Sequence, residues 1–136
     1  MKTKTYLFSI LMFFFFLEII IASPVKAAIR IMPLGDSITQ GSSSGVADEA
    51  FQVSFRKVLY DRLWEKGYVV DDEIFVGTQE SGESVTDFDP DHEGHGGWTA
   101  EEIVKGRPVM DLDAGNLAIW LAERQPSIVL LHIGTN

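Results

Sequence analysis

The sequence predicts an α/β fold built on a parallel sheet, and three observations predict it. Apolar runs at Ile29–Leu34 and Ile128–Ile133, with a shorter one at Glu73–Val76, have the length and unbroken hydrophobicity of strands buried on both faces. Stretches with helical spacing lie between them. Each run is followed by glycine and polar residues: Gly35-Asp36-Ser37, Gly77 and Gly134-Thr135-Asn136. Alternation of this kind implies a parallel sheet with helices on both faces.

The elements follow in order. Ile29–Leu34 is the first strand, and Gly41-Ser42-Ser43-Ser44-Gly45 is a flexible loop. Phe51–Lys66 reads as a helix whose Phe55, Val58, Leu59 and Leu63 repeat at helical spacing, stopped by Gly67. Glu73–Val76 is the second strand. Residues 78–97 are polar and glycine-rich and read as one long loop, a length more often functional than incidental. Thr99–Lys105 starts a helix with an N-cap threonine and acidic residues in its first turn, where they suit the helix dipole. Gly106-Arg107-Pro108 breaks it. Asn116–Arg124 is the last helix, ended by Pro126, and Ile128–Ile133 is the third strand. Trp64, Trp120 and His132 are expected in the core.

Composition bounds the function. The chain has 136 residues, a formal net charge of −9 and no cysteine. A thiolate nucleophile, a cysteine-ligated zinc and disulfides are therefore excluded. The acidic balance repels phosphate backbones, so nucleic acid is not an expected partner. Lys2 and Lys4 precede an apolar run, Tyr6–Ile21, and Val25-Lys26-Ala27 offers a cleavage site, so residues 1–27 read as a secretory signal peptide. The run is 16 residues, short of the roughly 20 that span a bilayer, so no stable membrane span is expected. The reading places one domain at 28–136 and the protein outside the cell or in a periplasm.

The chemistry lies where strands end. In parallel sheets ligands bind beyond the carboxyl ends of the strands, and Ser37, Gly77 and Asn136 all fall there. A serine hydroxyl held at a strand end is exposed and rigid, and becomes a nucleophile when a base takes its proton. Attack on an ester builds negative charge on the carbonyl oxygen. Fixed donors aimed at that oxygen are usually the largest catalytic contribution, each worth about 3–4 kcal/mol. Asn136 offers a side-chain amide, Gly97 an N–H with no side chain in the way, and Asp36 a brace for the turn.

Ile31-Met32-Pro33-Leu34-Gly35-Asp36-Ser37-Ile38-Thr39 resembles the first block of the SGNH (GDSL-type) hydrolases, and Gly134-Thr135-Asn136 resembles the start of their third. Phe88–Thr99, with His92-Glu93-Gly94-His95-Gly96-Gly97-Trp98-Thr99 inside it, is similar to the carbohydrate-esterase subgroup related to acetyl xylan esterases. The resemblance implies a flavodoxin-like three-layer α/β/α domain, here ending after its third strand. It also implies ester hydrolysis through an acyl-serine, without cofactor or metal. By resemblance Ser37 is nucleophile and oxyanion donor, and Gly97 and Asn136 are the other donors. Gly77 competes with Gly97 for the glycine role. Asp36, His95 and Trp98 are expected to line the substrate. The family's base sits in a late Asp-x-x-His block that this sequence does not contain, and none of His92, His95 and His132 matches it. The 136 residues are thus expected to be an incomplete domain, inactive alone.

Competing readings attach to the same residues. His92 and His95 lack the helical i, i+4 spacing of a zinc pair. Asp87, Asp89 and Asp91 open like a calcium loop, but His92 stands where its glycine belongs and Trp98 where its glutamate belongs. Trp98 is suited equally to stacking on a sugar and to packing. The substrate expected is a polysaccharide acetyl ester. The alternatives are a lipolytic, lysophospholipase-type esterase and a noncatalytic sugar-binding fragment. A last expectation concerns the sheet: with the Ile29 strand between the other two, the outer edge of Ile128–Ile133 is unpaired and prone to aggregate.

Overall fold

The computed structural model describes residues 29–69, 73–107 and 115–136. The segment read as a signal peptide lies outside the described residues. The elements in order are β1 (Ile31–Gly35), the single-turn helix α1 (Ser37–Gln40), helix α2 (Ser54–Glu65), β2 (Gln79–Glu80), β3 (Asp91–Gly94), helix α3 (Ala100–Lys105), helix α4 (Leu117–Arg124) and β4 (Ile128–His132). They form a mixed α/β structure around a four-stranded, mostly parallel sheet of order β2-β3-β1-β4. β1 pairs in parallel with β4, Ile31 opposite Ile128 and Gly35 opposite His132, and in parallel with β3 at Leu34–Glu93 and Gly35–Gly94. β2 runs antiparallel to β3.

The second neighbour of β1 changes along its length. At the start it is the segment around Phe75: Ile31 donates to the Ile74 carbonyl and accepts from the Val76 amide. At the end it is β3, where the His95 amide donates to the Gly35 carbonyl. Pro33, two residues from each, directs its nitrogen toward the same side, at the changeover. A residue without an N–H is tolerated where no ladder bond is required of it.

The β1 side chains alternate, and two apolar clusters result. Met32 and Leu34 pack with Val76, Trp98, Ile103 and Trp120, so α3 and α4 cover that face. Ile31 packs with Tyr60, Ile74 and Phe75, so α2 covers the other. The cap read from the sequence at Thr99 is present, and the structure adds one at Asn116. Thr99 and Glu102 form a reciprocal capping box on α3, and the Asn116 side chain caps α4. Among the described residues no helix is long and apolar enough to cross a membrane.

Four expectations are corrected. Residues 78–97 are not one loop: they hold β2 and β3. The sequence there is polar because β3 buries His92 and Glu93 as hydrogen-bonded groups rather than apolar ones. Glu73–Val76 contributes isolated bridge residues, Phe75 opposite Ile31 among them, in place of a full strand. The face of α2 that is fully buried carries Arg56 and Tyr60, not Phe55 and Val58, and Val58 is 64% exposed. Trp64 and His132 are also exposed, whereas Trp120 is 1% exposed as expected of a core residue. The unpaired outer edge is observed. β4 has a partner on one side only among the described residues, and Ile128, Val129 and Leu131 are 45%, 40% and 62% exposed.

Candidate active site

Because β1, β3 and β4 are mutually parallel through β1, the residues that follow them share one rim of the sheet. These are Asp36-Ser37, His95-Gly96-Gly97 and Gly134-Thr135-Asn136. Ser37 is half-buried, and Gly97 and Asn136 are exposed.

Ser37 opens α1. Asp36 caps that turn, its Oδ1 accepting from the Ile38 amide at 3.0 Å. Its Oδ2 accepts the Thr135 hydroxyl at 2.5 Å. Asp36 is fully buried. Burial alone would raise its carboxyl, but the bonds from Thr135 and the Ile38 amide outweigh it and hold the group below the usual carboxylate range. Gly41, at φ +106, closes the turn by donating to the Ser37 carbonyl.

The other end of α1 is gripped by Arg56, itself fully buried. Among the described residues its guanidinium has no carboxylate partner. It donates to main-chain carbonyls of Thr39, Gln40, Gln52, Ser81 and Pro90 and to the Ser81 hydroxyl, at 2.7–3.1 Å. Desolvation lowers its pKa to about 10. Ser81 in turn donates to the Gln40 carbonyl and meets His92 Nε2 at 2.8 Å. His92 Nδ1 accepts from the Gly94 amide, so Nε2 carries the proton and the ring is neutral. Burial, then the charge of Arg56, pushes His92 down to about 2. His92 is thus a structural donor to Ser81. Gly94 follows from the same contact, since a Cβ there would lie 2.4 Å from the Gln40 nitrogen of α1.

The third part of the rim is the turn after β3. Glu93, fully buried, accepts from the Thr78 amide, the Thr78 hydroxyl and His95 Nε2 at 2.7–2.8 Å. The His95 ring lies between Trp98 and Trp120, with centroids 4.5 and 4.6 Å away. Gly97 adopts φ +74 with open space where a Cβ would be. Asn136 donates from its side chain to the Trp98 carbonyl at 2.9 Å, which joins this turn to the end of β4. Gly77 is in a different situation. It is buried, and a Cβ would sit 1.9 Å from the His92 carbonyl oxygen, so it packs β3 and does not face the rim.

Asp36, His95 and Trp98, expected against substrate, are 0%, 7% and 5% exposed. Their side chains are satisfied behind the rim by Thr135, by Glu93 and by stacked rings, and they hold the exposed groups from within. Sequence reading missed Arg56, Glu93, Thr135 and Arg107. The available signal was an arginine one turn before Tyr60 in a half-apolar helix, and a glutamate between two histidines. Among the described residues no group of acidic or histidine side chains could hold a metal ion.

No family model matches the chain. A multidomain esterase of Ruminococcus flavefaciens is 34% identical over 125 aligned positions, which cover 84% of this chain and 15% of that protein. Two solved structures align with 79% of this chain and 44% of theirs. An acetyl esterase, determined as a serine-to-alanine mutant with an acetate ion, gives a TM-score of 0.55 at 28% identity. A carbohydrate esterase family 3 enzyme from Talaromyces cellulolyticus gives 0.54 at 30%. The chain thus spans less than half the length of the solved structures it matches and a smaller share of the multidomain esterase. The likeness to carbohydrate esterases read from Ile31–Thr39, Phe88–Thr99 and Gly134–Asn136 is met in three dimensions: this chain is related to the acetyl esterases of carbohydrate esterase family 3 and is built like part of one.

Proposed function

We propose that the chain carries the nucleophile and oxyanion site of a secreted SGNH-type serine esterase, on part of a flavodoxin-like α/β/α domain, and that its substrate is an acetylated polysaccharide. The observation that carries this reading is the tie between the two strand ends. Asp36 holds Thr135, and their neighbours Ser37 and Asn136 are thereby kept on one rim with the exposed Gly97. Ser37 Oγ attacks the acetyl carbonyl and forms the new C–O bond. The negative charge on the carbonyl oxygen is met by the Ser37 and Gly97 amides and the Asn136 side chain. Collapse breaks the bond to the sugar oxygen, which leaves with the proton that the base took from Ser37 Oγ, and water, giving its proton to the same base, then releases acetate from the acyl-serine.

None of the three histidines is hydrogen-bonded to Ser37 among the described residues. His92 is committed to Ser81 and His95 to Glu93. The base is assigned, by family resemblance, to an Asp-x-x-His block, and the 136 residues alone are expected to turn over ester at a residual rate only. The test is release of acetate from acetylated xylan, against fatty acid release from lysophospholipid, by a form of the protein that carries such a block. Acetate release abolished by Ser37→Ala supports the reading. Preference for lysophospholipid replaces the polysaccharide substrate with a lipid one, and inertness toward both overturns the esterase assignment. The sugar-binding alternative loses its main support, since Trp98 has no exposed face with which to stack on a sugar.

A further inference from the structure

The turn that presents Gly97 is gripped from outside by a residue beyond the far end of α3. Arg107 Nη2 donates to the Gly97 carbonyl at 2.8 Å. The same guanidinium is forked onto Glu102, Nε to Oε1 at 2.8 Å and Nη2 to Oε2 at 3.3 Å. It also lies over the Trp98 ring, 5.5 Å from its centroid. Glu102 is not free to follow Arg107 elsewhere, because its Oε2 also accepts the Thr99 amide at 2.8 Å in the capping box. Loop, helix start and helix end are therefore closed into one ring of bonds.

The position of that ring decides what it does. Gly97 at φ +74 has no Cβ contact to hold it, and a glycine of that kind is the cheapest point in a chain at which to turn a peptide plane. Two successive carbonyls are fixed by side chains from opposite directions: Gly97 by Arg107 and Trp98 by Asn136. On the near side the Trp98 amide returns to the His95 carbonyl at 3.2 Å. These three restraints fix the Gly97–Trp98 peptide plane and the carbonyl after it, so the Gly97 N–H, on the preceding plane, is presented from an anchored Cα.

We propose that Arg107 is a positioning residue for the oxyanion site: clamped on Glu102, it anchors the Gly97 carbonyl, and with it the Cα from which the Gly97 N–H is presented to the rim, before an acyl group arrives. The proposal rests on the reading of Gly97 as a donor. Lysine cannot replace the fork, because it supplies a point charge where two directed bonds are needed.

The test uses the full 136-residue chain, labelled with nitrogen-15 and titrated with sodium acetate while the Gly97 amide and the Asn136 side-chain amide are followed. In the unsubstituted chain both signals move together and saturate. Arg107→Met keeps the stem over Trp98 and removes the fork. It is expected to weaken acetate roughly tenfold and to broaden the Gly97 signal, with the rest of the amide spectrum unchanged. Arg107→Lys recovers only part of the affinity and serves as the reading if the methionine variant is poorly folded. Glu102→Gln, which loosens the clamp without touching Gly97, shifts affinity in the same direction. Acetate affinity and Gly97 position unchanged in both arginine variants overturn the proposal. Failure of acetate to move Gly97 and Asn136 in the unsubstituted chain instead overturns the site assignment, and the proposal with it, before any substitution is made.

Discussion

Thr135 donates its hydroxyl to Asp36 Oδ2 across 99 positions of sequence. The bond joins the residue before Ser37 to the residue before Asn136, and so sets the relation between the ends of β1 and β4. Asp36 is also the cap of α1, which makes one buried carboxylate responsible for both the start of the serine turn and its alignment.

Removing the donor exposes this double duty. Thr135→Val is expected to cost about 1–3 kcal/mol, because the buried carboxylate loses a partner and keeps its desolvation penalty. The Asp36 carboxyl, now held low, rises. A carboxyl depressed in the folded state adds stability above its unfolded pKa that is lost as pH falls. The acid limb of unfolding should therefore move to higher pH. Urea midpoints at neutral pH and at successive acid values check both parts, and an unchanged acid limb contradicts the role given to Thr135.

Arg56 should prove indispensable to folding. Arg56→Met preserves much of its volume but strands the carbonyls of Thr39, Gln40, Gln52, Ser81 and Pro90. A loss of about 3–5 kcal/mol is expected, as for a broken buried charge network. Denaturant titration of the variant measures it. A loss below about 1 kcal/mol would show that water replaces the guanidinium without penalty.

Two titrating groups should oppose each other between pH 6.5 and 4. His92, lowered to about 2, binds a proton on unfolding at these values, so its contribution is complete above 6.5 and is lost as pH falls. Asp91 behaves oppositely. Burial first, then the nearby Asp89 and Glu80, raises it to about 6, so it takes a proton in the folded state and its contribution grows as pH falls from 6 toward 3.8. Each is worth about 1.4 kcal/mol per pH unit inside its window. Asp91→Asn should therefore leave stability falling more steeply between pH 6 and 4 than in the unsubstituted chain. Parallel stability–pH curves for the two proteins would rule this out.

The edge of β4 should drive self-association. Leu131, 62% exposed, lies with Val129 beside Phe55 and Val58 of α2 in an apolar groove of about 750 Å³. Unpaired apolar strand edges pair with other chains. Leu131→Lys is expected to raise the concentration at which the chain remains monomeric in sedimentation, with little change in fold. Equal association of both forms would place the sticky surface elsewhere.

The legibility of the chain divided along a physical line. Apolar strands announced themselves, because β1 and β4 consist of residues that have no reason to be together except burial or pairing. The Thr99 cap did too, since it acts on an amide three residues away. β3 was hidden. Its Asp-His-Glu-Gly sequence looks like a loop until Ser81, Thr78 and His95 are known to satisfy the buried polar groups. For the same reason the burial of Asp36, His95 and Trp98 could not be read from the sequence.

From the sequence alone came the α/β order, the exposed strand edge and the rim segments after β1 and β4, because these depend on patterns within a few residues, whereas the segment at Gly97 came from family resemblance. Tertiary structure decided which groups face solvent and which brace them. Arg56 finds five distant carbonyls and Thr135 finds Asp36, and such bonds depend on where the chain returns in space. Local propensity carries no record of that return. A polar residue written in the sequence is the same letter whether water or a buried partner completes its hydrogen bonds.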